Sequence, residues 1–422
     1  MKRLAPWLVA AAFALGGAPA LAQDAPEPTP VGALLSFTGA LAEFGQAHER
    51  AVQLAAGQIN AASEEAFGGP LVEVVPEDTA TSPATGVDRA RKLVDVDGVP
   101  AMVGALSSGV STNVAEAVTI PSEVVQISPA STSPLISFLE DGDMVFRTVA
   151  SDALQGVVAA QLARGEIDPS VSYDTAATIY VNNPYGQGLS NAFSTSFEAR
   201  GGTVTAQVAH PEEPQPTYAG ILEQALADDP DVLMVISYPG QATVYLQEAR
   251  DLFDYTSFQF VDGSKSQEII EAVGADVLDG AWGTAPGSDP NWPGFQAFVD
   301  AYTEVHGQRP PLPFMDSAYD AMAVLGLAIA HLHVEGTEVT GPTVRDAVRR
   351  VGDGEGEAVG VGEFARAFEL IAAGTEIDYT GAASTVDFDP EGDVVTPVEV
   401  WRYLDGAIES VEIRTADQIP TE

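Results

Sequence analysis

The chain has 422 residues, 45% of them hydrophobic, enough for two cores at roughly 100–200 residues per domain. It carries 61 acidic side chains against 18 Lys and Arg, a formal net charge of −43 that repels nucleic-acid phosphates and anionic lipid headgroups alike. It has no cysteine, which excludes disulfides, thiolate catalysis and cysteine-based metal sites and leaves stability to core burial. Beyond Lys2 the only lysines are Lys92 and Lys265; so acidic a surface suits salty surroundings, where its self-repulsion is screened.

Residues 1–22 read as a secretory signal peptide. Lys2 and Arg3 precede an apolar run to Leu15, and Ala20-Leu21-Ala22 supplies a small-residue cleavage site. Cleavage before Gln23 predicts an exported chain with no N-terminal cysteine to lipidate, and no later run is apolar for long enough to predict a membrane span. A Pro-rich leader, residues 23–29, joins the signal to the fold.

Strand candidates follow at 30–37, 71–78, 101–106, 123–128 and 144–149. After the first comes a helix with Val52, Ala55, Ile59 and Ala62 on one side. A helical stretch at 152–163 separates these from further strands at 176–183, 203–210, 231–237 and 258–263. Apolar strands alternating with amphipathic helices predict an α/β protein with parallel sheets covered on both faces. Two successive series predict two lobes.

In open parallel sheets, ligands bind beyond the carboxyl ends of the strands. Those ends read SFTGALAEFG, LSSG and SPASTSP in the first series and NNPYGQG, SYPGQ and DGSKS in the second. They supply hydroxyls, glycines, aromatic rings and an acid, an inventory for binding more than for catalysis. Ser107 and Ser108 precede a helix whose apolar face is Val110, Val114 and Val118. They either cap it or join its free N–H groups in holding an anion.

Enzyme signals are sparse. His331 and His333, with Glu335, sit on a predicted helix where residues two apart face apart, so no metal is expected there. No G-x-S-x-G, H-E-x-x-H or phosphate-loop pattern occurs. The glycine-rich run at 352–364 is acidic and reads as a loop. Paired carboxylates for glycoside chemistry stay open in so acidic a chain.

Taken in order, these segments resemble the branched-chain amino-acid binding proteins of bacterial ABC transporters, in the type I periplasmic binding-protein family. The likeness runs from LLSFTGALAEFGQAHERAVQLAAGQINA through RARKLVDVDGVPAMVGALSS, VVQISPASTSPLI, MVFRTVASDALQG, NNPYGQGL and SAYDAMAVLGLAI to DFDPEGDVVTPVEVWRYLDG. It implies two Rossmann-like lobes joined by three crossover strands and closing on a ligand by hinge motion. Lobe one is then residues 27–148 and 285–395, and lobe two 149–284 and 396–422.

The resemblance also implies roles. Ser107 and Ser108, the latter the better match, would hold a ligand α-carboxylate. Ala130, Ser131 and Thr132 would offer carbonyl and hydroxyl groups to the ammonium and carboxylate. Tyr185 and Tyr238 would close down from lobe two, Asp262 would take the ammonium, and Phe44 and Phe314 would flank the ligand's side chain. The residues alone also allow Asp262 an Asx turn before Gly263, and Phe44 and Phe314 places in the core. Two departures stand out: Ser107 replaces a cysteine of a disulfide common in relatives, and Asp262 replaces a longer Glu.

The implied function is that of a periplasmic, monomeric substrate-binding component of an ABC importer, without catalysis or cofactor. It would carry a small amino acid, branched-chain or otherwise aliphatic, to an inner-membrane permease. An aromatic carboxylate, urea or short amide is the alternative ligand, with Asp262 then pointing away. An exported hydrolase is a third reading, and a ligand-sensing receptor domain a fourth, against which stands the expectation that no membrane-spanning or signalling segment follows the fold.

Overall fold

The computed structural model describes residues 25–419; the expected signal peptide, residues 1–22, lies outside them. The described chain opens with β1 (Thr29–Leu35), α1 (Ala42–Ala66), β2 (Val72–Asp78), α2 (Pro83–Asp95), β3 (Ala101–Gly104), α3 (Ser108–Val114), β4 (Val125–Ser128) and β5 (Val145–Arg147). The five strands form one parallel sheet in the order β2-β1-β3-β4-β5. β3, β4 and β5 are buried at every residue, as strands with both faces covered by helices must be. Val110, Val114 and Val118 of α3 and its continuation pack with Leu34, Leu93 and Met102 on one face.

The second series follows: α4 (Asp152–Ala163), β6 (Thr175–Val181), α5 (Pro184–Ala199), β7 (Thr203–His210), α6 (Ala219–Ala225), β8 (Val232–Ile236), α7 (Pro239–Phe253), β9 (Phe258–Phe260), α8 (Gln267–Val273), α9 (Ala275–Leu278) and β10 (Trp282–Pro286). The chain then returns to the first half with α10 (Pro293–His306), α11 (Met315–Glu335) and α12 (Gly341–Val351). There β11 (Glu357–Gly360) and β12 (Ile377–Thr380) pair in parallel around α13 (Phe364–Ala372). Last come β13 (Val398–Leu404) and β14 (Ala407–Arg414), which complete a seven-stranded sheet in the order β14-β13-β10-β9-β8-β6-β7. Only its β10–β13 and β13–β14 pairs are antiparallel. The chain thus passes between the sheets three times, at residues 148–151, 287–292 and 381–397.

This is the α/β architecture that the alternating pattern predicts, with local differences. Glu357–Gly360, expected as loop, is strand β11, because Val359 is buried opposite Tyr379 while the flanking acids stay in water. β3 stops at Gly104 instead of reaching residue 106. Gly104 has φ +140, and a Cβ there would lie 2.2 Å from the Leu34 carbonyl oxygen, so the chain turns out of the sheet at the one residue able to do so. By length and composition α11 could cross a membrane, yet it is buried almost throughout against α1, α12 and α13. It is the core helix of the first half.

Strand order places the site. In the first sheet β1 lies between β2 and β3, so successive connections leave in opposite directions and open a crevice at the carboxyl ends of β1 and β3. In the second sheet the same reversal falls at β6 and β8. The two crevices face one another.

Candidate functional site

Each wall of the site is the end of a strand or the start of a helix. Beyond β1, Leu41, Phe44 and His48 follow at helical spacing and share one face of α1. Beyond β3, Leu106, Ser107 and Ser108 lead into α3; beyond β4 comes Ala130. From the second half, Tyr185 lies in the first turn of α5, Tyr238 immediately precedes α7, and Asp262 and Gly263 follow β9. Phe314, at φ +65 just before α11, closes the ring. A bulky residue held at positive φ is strained, and such strain tends to sit at functional sites.

These elements line a narrow cavity with only about 20 Å³ of room for water-sized molecules, far below the roughly 300–1,000 Å³ of open small-molecule pockets. Phe44, Ser108, Ala130, Tyr185, Tyr238 and Asp262 all line it, as does Phe314. Ser107 sits outside the lining, bridging the two halves: its hydroxyl donates to Glu212 Oε1 at 3.1 Å and accepts from the Tyr238 hydroxyl at 3.2 Å. The Ser131 hydroxyl turns into the first half, within reach of Ser111 Oγ (2.7 Å) and the Leu106 carbonyl (3.1 Å). Thr132 Oγ1 donates to Asp152 Oδ2 at 2.8 Å.

Sequence reasoning missed Leu41, His48, Leu106 and Gly263 in the lining. It also missed the polar groups behind it: Gln155, Asn183, Glu212 and Asp152.

The rings of Tyr185 and Tyr238 stack at 5.6 Å, inclined by only 10°. The Tyr185 hydroxyl donates to Asp262 Oδ1 at 3.0 Å and accepts from Gly263 N at 3.2 Å. That approach needs glycine, since a Cβ at residue 263 would lie 2.8 Å from the same hydroxyl. Gln155 Nε2 also donates to Asp262 Oδ1, at 2.9 Å. Asn183 Nδ2 donates to Glu212 Oε1 at 2.8 Å and to the Tyr238 hydroxyl at 3.0 Å.

Burial governs the electrostatics. It pushes the Asp262 carboxyl up to about 6, although the bonds from Gln155 and Tyr185 pull the other way. Asp152 rises well above the usual carboxylate range, first through burial and then through the charge of Asp262; Thr132 and Arg147 offset part of this. Burial likewise raises Glu212. His48 is lowered to about 4 by burial and is therefore a neutral imidazole at neutral pH. No Lys or Arg lines the cavity, so its single carboxylate faces it without a cation.

A larger space of about 360 Å³ opens beside the crossovers and shares Phe314 alone with the first. Of its charged groups, Lys265 is bonded to Glu399 and Asp316 to the Ser288 hydroxyl, Arg309 is exposed, and it gathers none of Ser108, Tyr185, Tyr238 or Asp262. The smaller cavity is therefore the candidate site. Among the described residues no group of three or more His, Asp or Glu side chains is placed to hold a metal. The Ser237 hydroxyl meets His210 Nε2 at 2.8 Å, as a nucleophile meets a base, but both are fully buried outside the cavity lining. What the cavity offers chemically is a hydroxyl, a carboxylate and aromatic walls: recognition of a small polar molecule.

The sequence pattern of the periplasmic binding protein family matches residues 28–368. The chain is 28% identical over 402 residues to the chemotactic signal transduction system substrate-binding protein BasB of Halobacterium salinarum, covering 92% of this chain and 90% of that one. Among solved structures, a leucine-binding protein from Thermotoga maritima matches with a TM-score of 0.76 at 22% identity, over 93% of this chain and 100% of the other. An ABC-transporter solute-binding protein from R. palustris in complex with benzoate matches with a TM-score of 0.70 at 17% identity, over 92% and 97%. The fold is that of the type I periplasmic binding proteins, and a pattern match over residues 28–368 makes the chain a member of the periplasmic binding protein family.

Proposed function

We propose that this protein is the substrate-binding component of an ABC importer, exported to the periplasm, where it captures a small amino acid between its two lobes and presents it to a membrane permease. One observation carries the reading: a single cavity is lined by both a hydroxyl donor and a carboxylate with no Lys or Arg beside it. Ser108 Oγ accepts from Ser133 N at 3.2 Å and keeps its own proton for a ligand carboxylate. Both side-chain bonds to Asp262 fall on Oδ1 and backbone N–H groups of Asp262 and Gly263 also serve the carboxylate, so Oδ2 carries no side-chain bond and is the oxygen offered to a ligand ammonium. A zwitterion satisfies both. The leucine-binding relative supports the amino-acid reading.

Thermal shift with the common L-amino acids, urea, short amides and benzoate-type acids tests it. A ligand that binds only the folded state raises the melting temperature by mass action. Stabilisation by an L-amino acid, lost in Asp262→Ala, is the expected outcome; no response to any amino acid contradicts it.

A second reading has its own support in the stacked Tyr185–Tyr238 pair and the benzoate-bound relative: an aromatic carboxylate on Ser108, with Asp262 protonated. It predicts stabilisation by benzoate-type acids, strengthening as the pH falls towards 6. The name of the Halobacterium relative raises a signalling transducer as an alternative receiver of the loaded protein.

A further inference from the structure

Most of the cavity's ligand side-chain wall is apolar: Leu41, Phe44, Leu106 and Phe314. His48 interrupts it. The ring stands edge-on between Phe44 and Phe314, with centroids at 6.2 and 6.4 Å, and is fully buried. Its Nε2 lies 3.0 Å from the Pro313 carbonyl oxygen, which can only accept, so Nε2 carries the ring's proton. Nδ1 is then a bare lone pair, buried and without a partner. Of the buried side-chain polar atoms that lack a partner among the described residues, it is the one whose residue lines this cavity. A buried acceptor left unpaired is destabilising, and a donor on a bound ligand would relieve it.

We infer that His48 Nδ1 is the specificity-determining acceptor for a hydrogen-bond donor on the ligand's side chain, so that the preferred amino acid carries a neutral hydroxyl or amide. The inference rests on the amino-acid reading above and narrows it. A purely aliphatic side chain leaves the lone pair unsatisfied. A second carboxylate meets that lone pair with another. A cationic side chain finds no further acid, because Asp262 is the one carboxylate in the lining and is committed to the ammonium. The donor's distance from the α-carbon is open, which the test covers with two lengths.

The experiment is calorimetric titration of the protein with two near-isosteric pairs, valine with threonine and leucine with asparagine. In at least one pair the donor-bearing member binds at least about tenfold more tightly, as one buried acceptor satisfied or abandoned requires. His48→Phe keeps the ring and abolishes that preference. His48→Gln restores an N–H for Pro313 and an acceptor for the ligand, and keeps it. Equal or tighter binding of valine and leucine to the unaltered protein overturns the inference while leaving the amino-acid reading intact. Failure of every amino acid to bind overturns both.

Discussion

Asp262 is buried where the ligand-free protein offers it no cation. A carboxyl raised from 3.8 to about 6 holds its proton more tightly in the folded chain than in the unfolded one. The stability this contributes is present at pH below 3.8 and is lost as the pH rises through about 6. At pH 8 the empty site therefore carries a costly ionised acid. Asp262→Asn keeps an acceptor for Tyr185 and Gln155 and should stabilise the ligand-free protein at pH 8 by about 1–3 kcal/mol, read as a higher denaturant midpoint. The same change, like Asp262→Ala, should weaken amino-acid binding by about 2–5 kcal/mol, measured by titration calorimetry. Since the ammonium needs the ionised acid, affinity should fall about tenfold for each pH unit below about 6. A flat profile between pH 5 and 8 would remove Asp262 from the ammonium site.

At the scale of elements, the strand ends and helix starts form the site, and one buried cation fixes the loop beyond β4. Arg147, the last residue of β5, is wholly buried. It donates to Asp393 through Nε and Nη2, both at 2.6 Å, to the Ser133 carbonyl at 2.9 Å and to Ser137 Oγ at 2.8 Å. It ties the ligand loop to the third crossover. Arg147→Met should cost about 3–5 kcal/mol in chemical denaturation, because it strands Asp393 and the carbonyls that Arg147 serves. Most of this level was legible in the sequence. Parallel strands gather their carboxyl ends on one edge, which marked LSSG, NNPYGQG, SYPGQ and DGSKS, and the family resemblance picked Ser108, Tyr185, Tyr238 and Asp262 from them. Leu41 and His48 were within reach of the same logic, one helical turn either side of Phe44. Gln155, Asp152 and Glu212 were not. Gln155 meets Asp262 from 107 residues away, and Glu212 meets Ser107 only because the halves close on one another. Local pattern carries no record of either event. The hydroxyls of Ser131 and Thr132 looked equivalent to that of Ser108 in the sequence; which of them faces the cavity is decided by Ser111 and Asp152, which claim the other two.

For the molecule as a whole, two properties dominate: charge and the fit between halves. At a net charge of −43 with no disulfide, like-charge repulsion opposes the compact state and is relieved by screening. The melting temperature should therefore rise as salt increases from about 0.01 M to 1 M, over which the Debye length shrinks from about 30 to 3 Å. A falling melting temperature would mean that the surface ion pairs outweigh the repulsion. The halves meet closely at Gly240, whose N–H reaches the Ala40 carbonyl at 3.4 Å and where a Cβ would lie 2.9 Å from Ala40 Cα. If ligand capture is closure of this contact, Gly240→Val should weaken binding at least about tenfold while leaving the ligand-free melting temperature within a degree or two. Unchanged affinity in that variant would separate binding from closure. The most direct test of the whole account is calorimetric titration at pH 8 with L-amino acids and benzoate, on the unaltered protein and on Asp262→Ala. The account predicts one-to-one binding of an L-amino acid that weakens at least about thirtyfold in Asp262→Ala, with benzoate silent. Binding of benzoate alone, or of an amino acid regardless of Asp262, would contradict it.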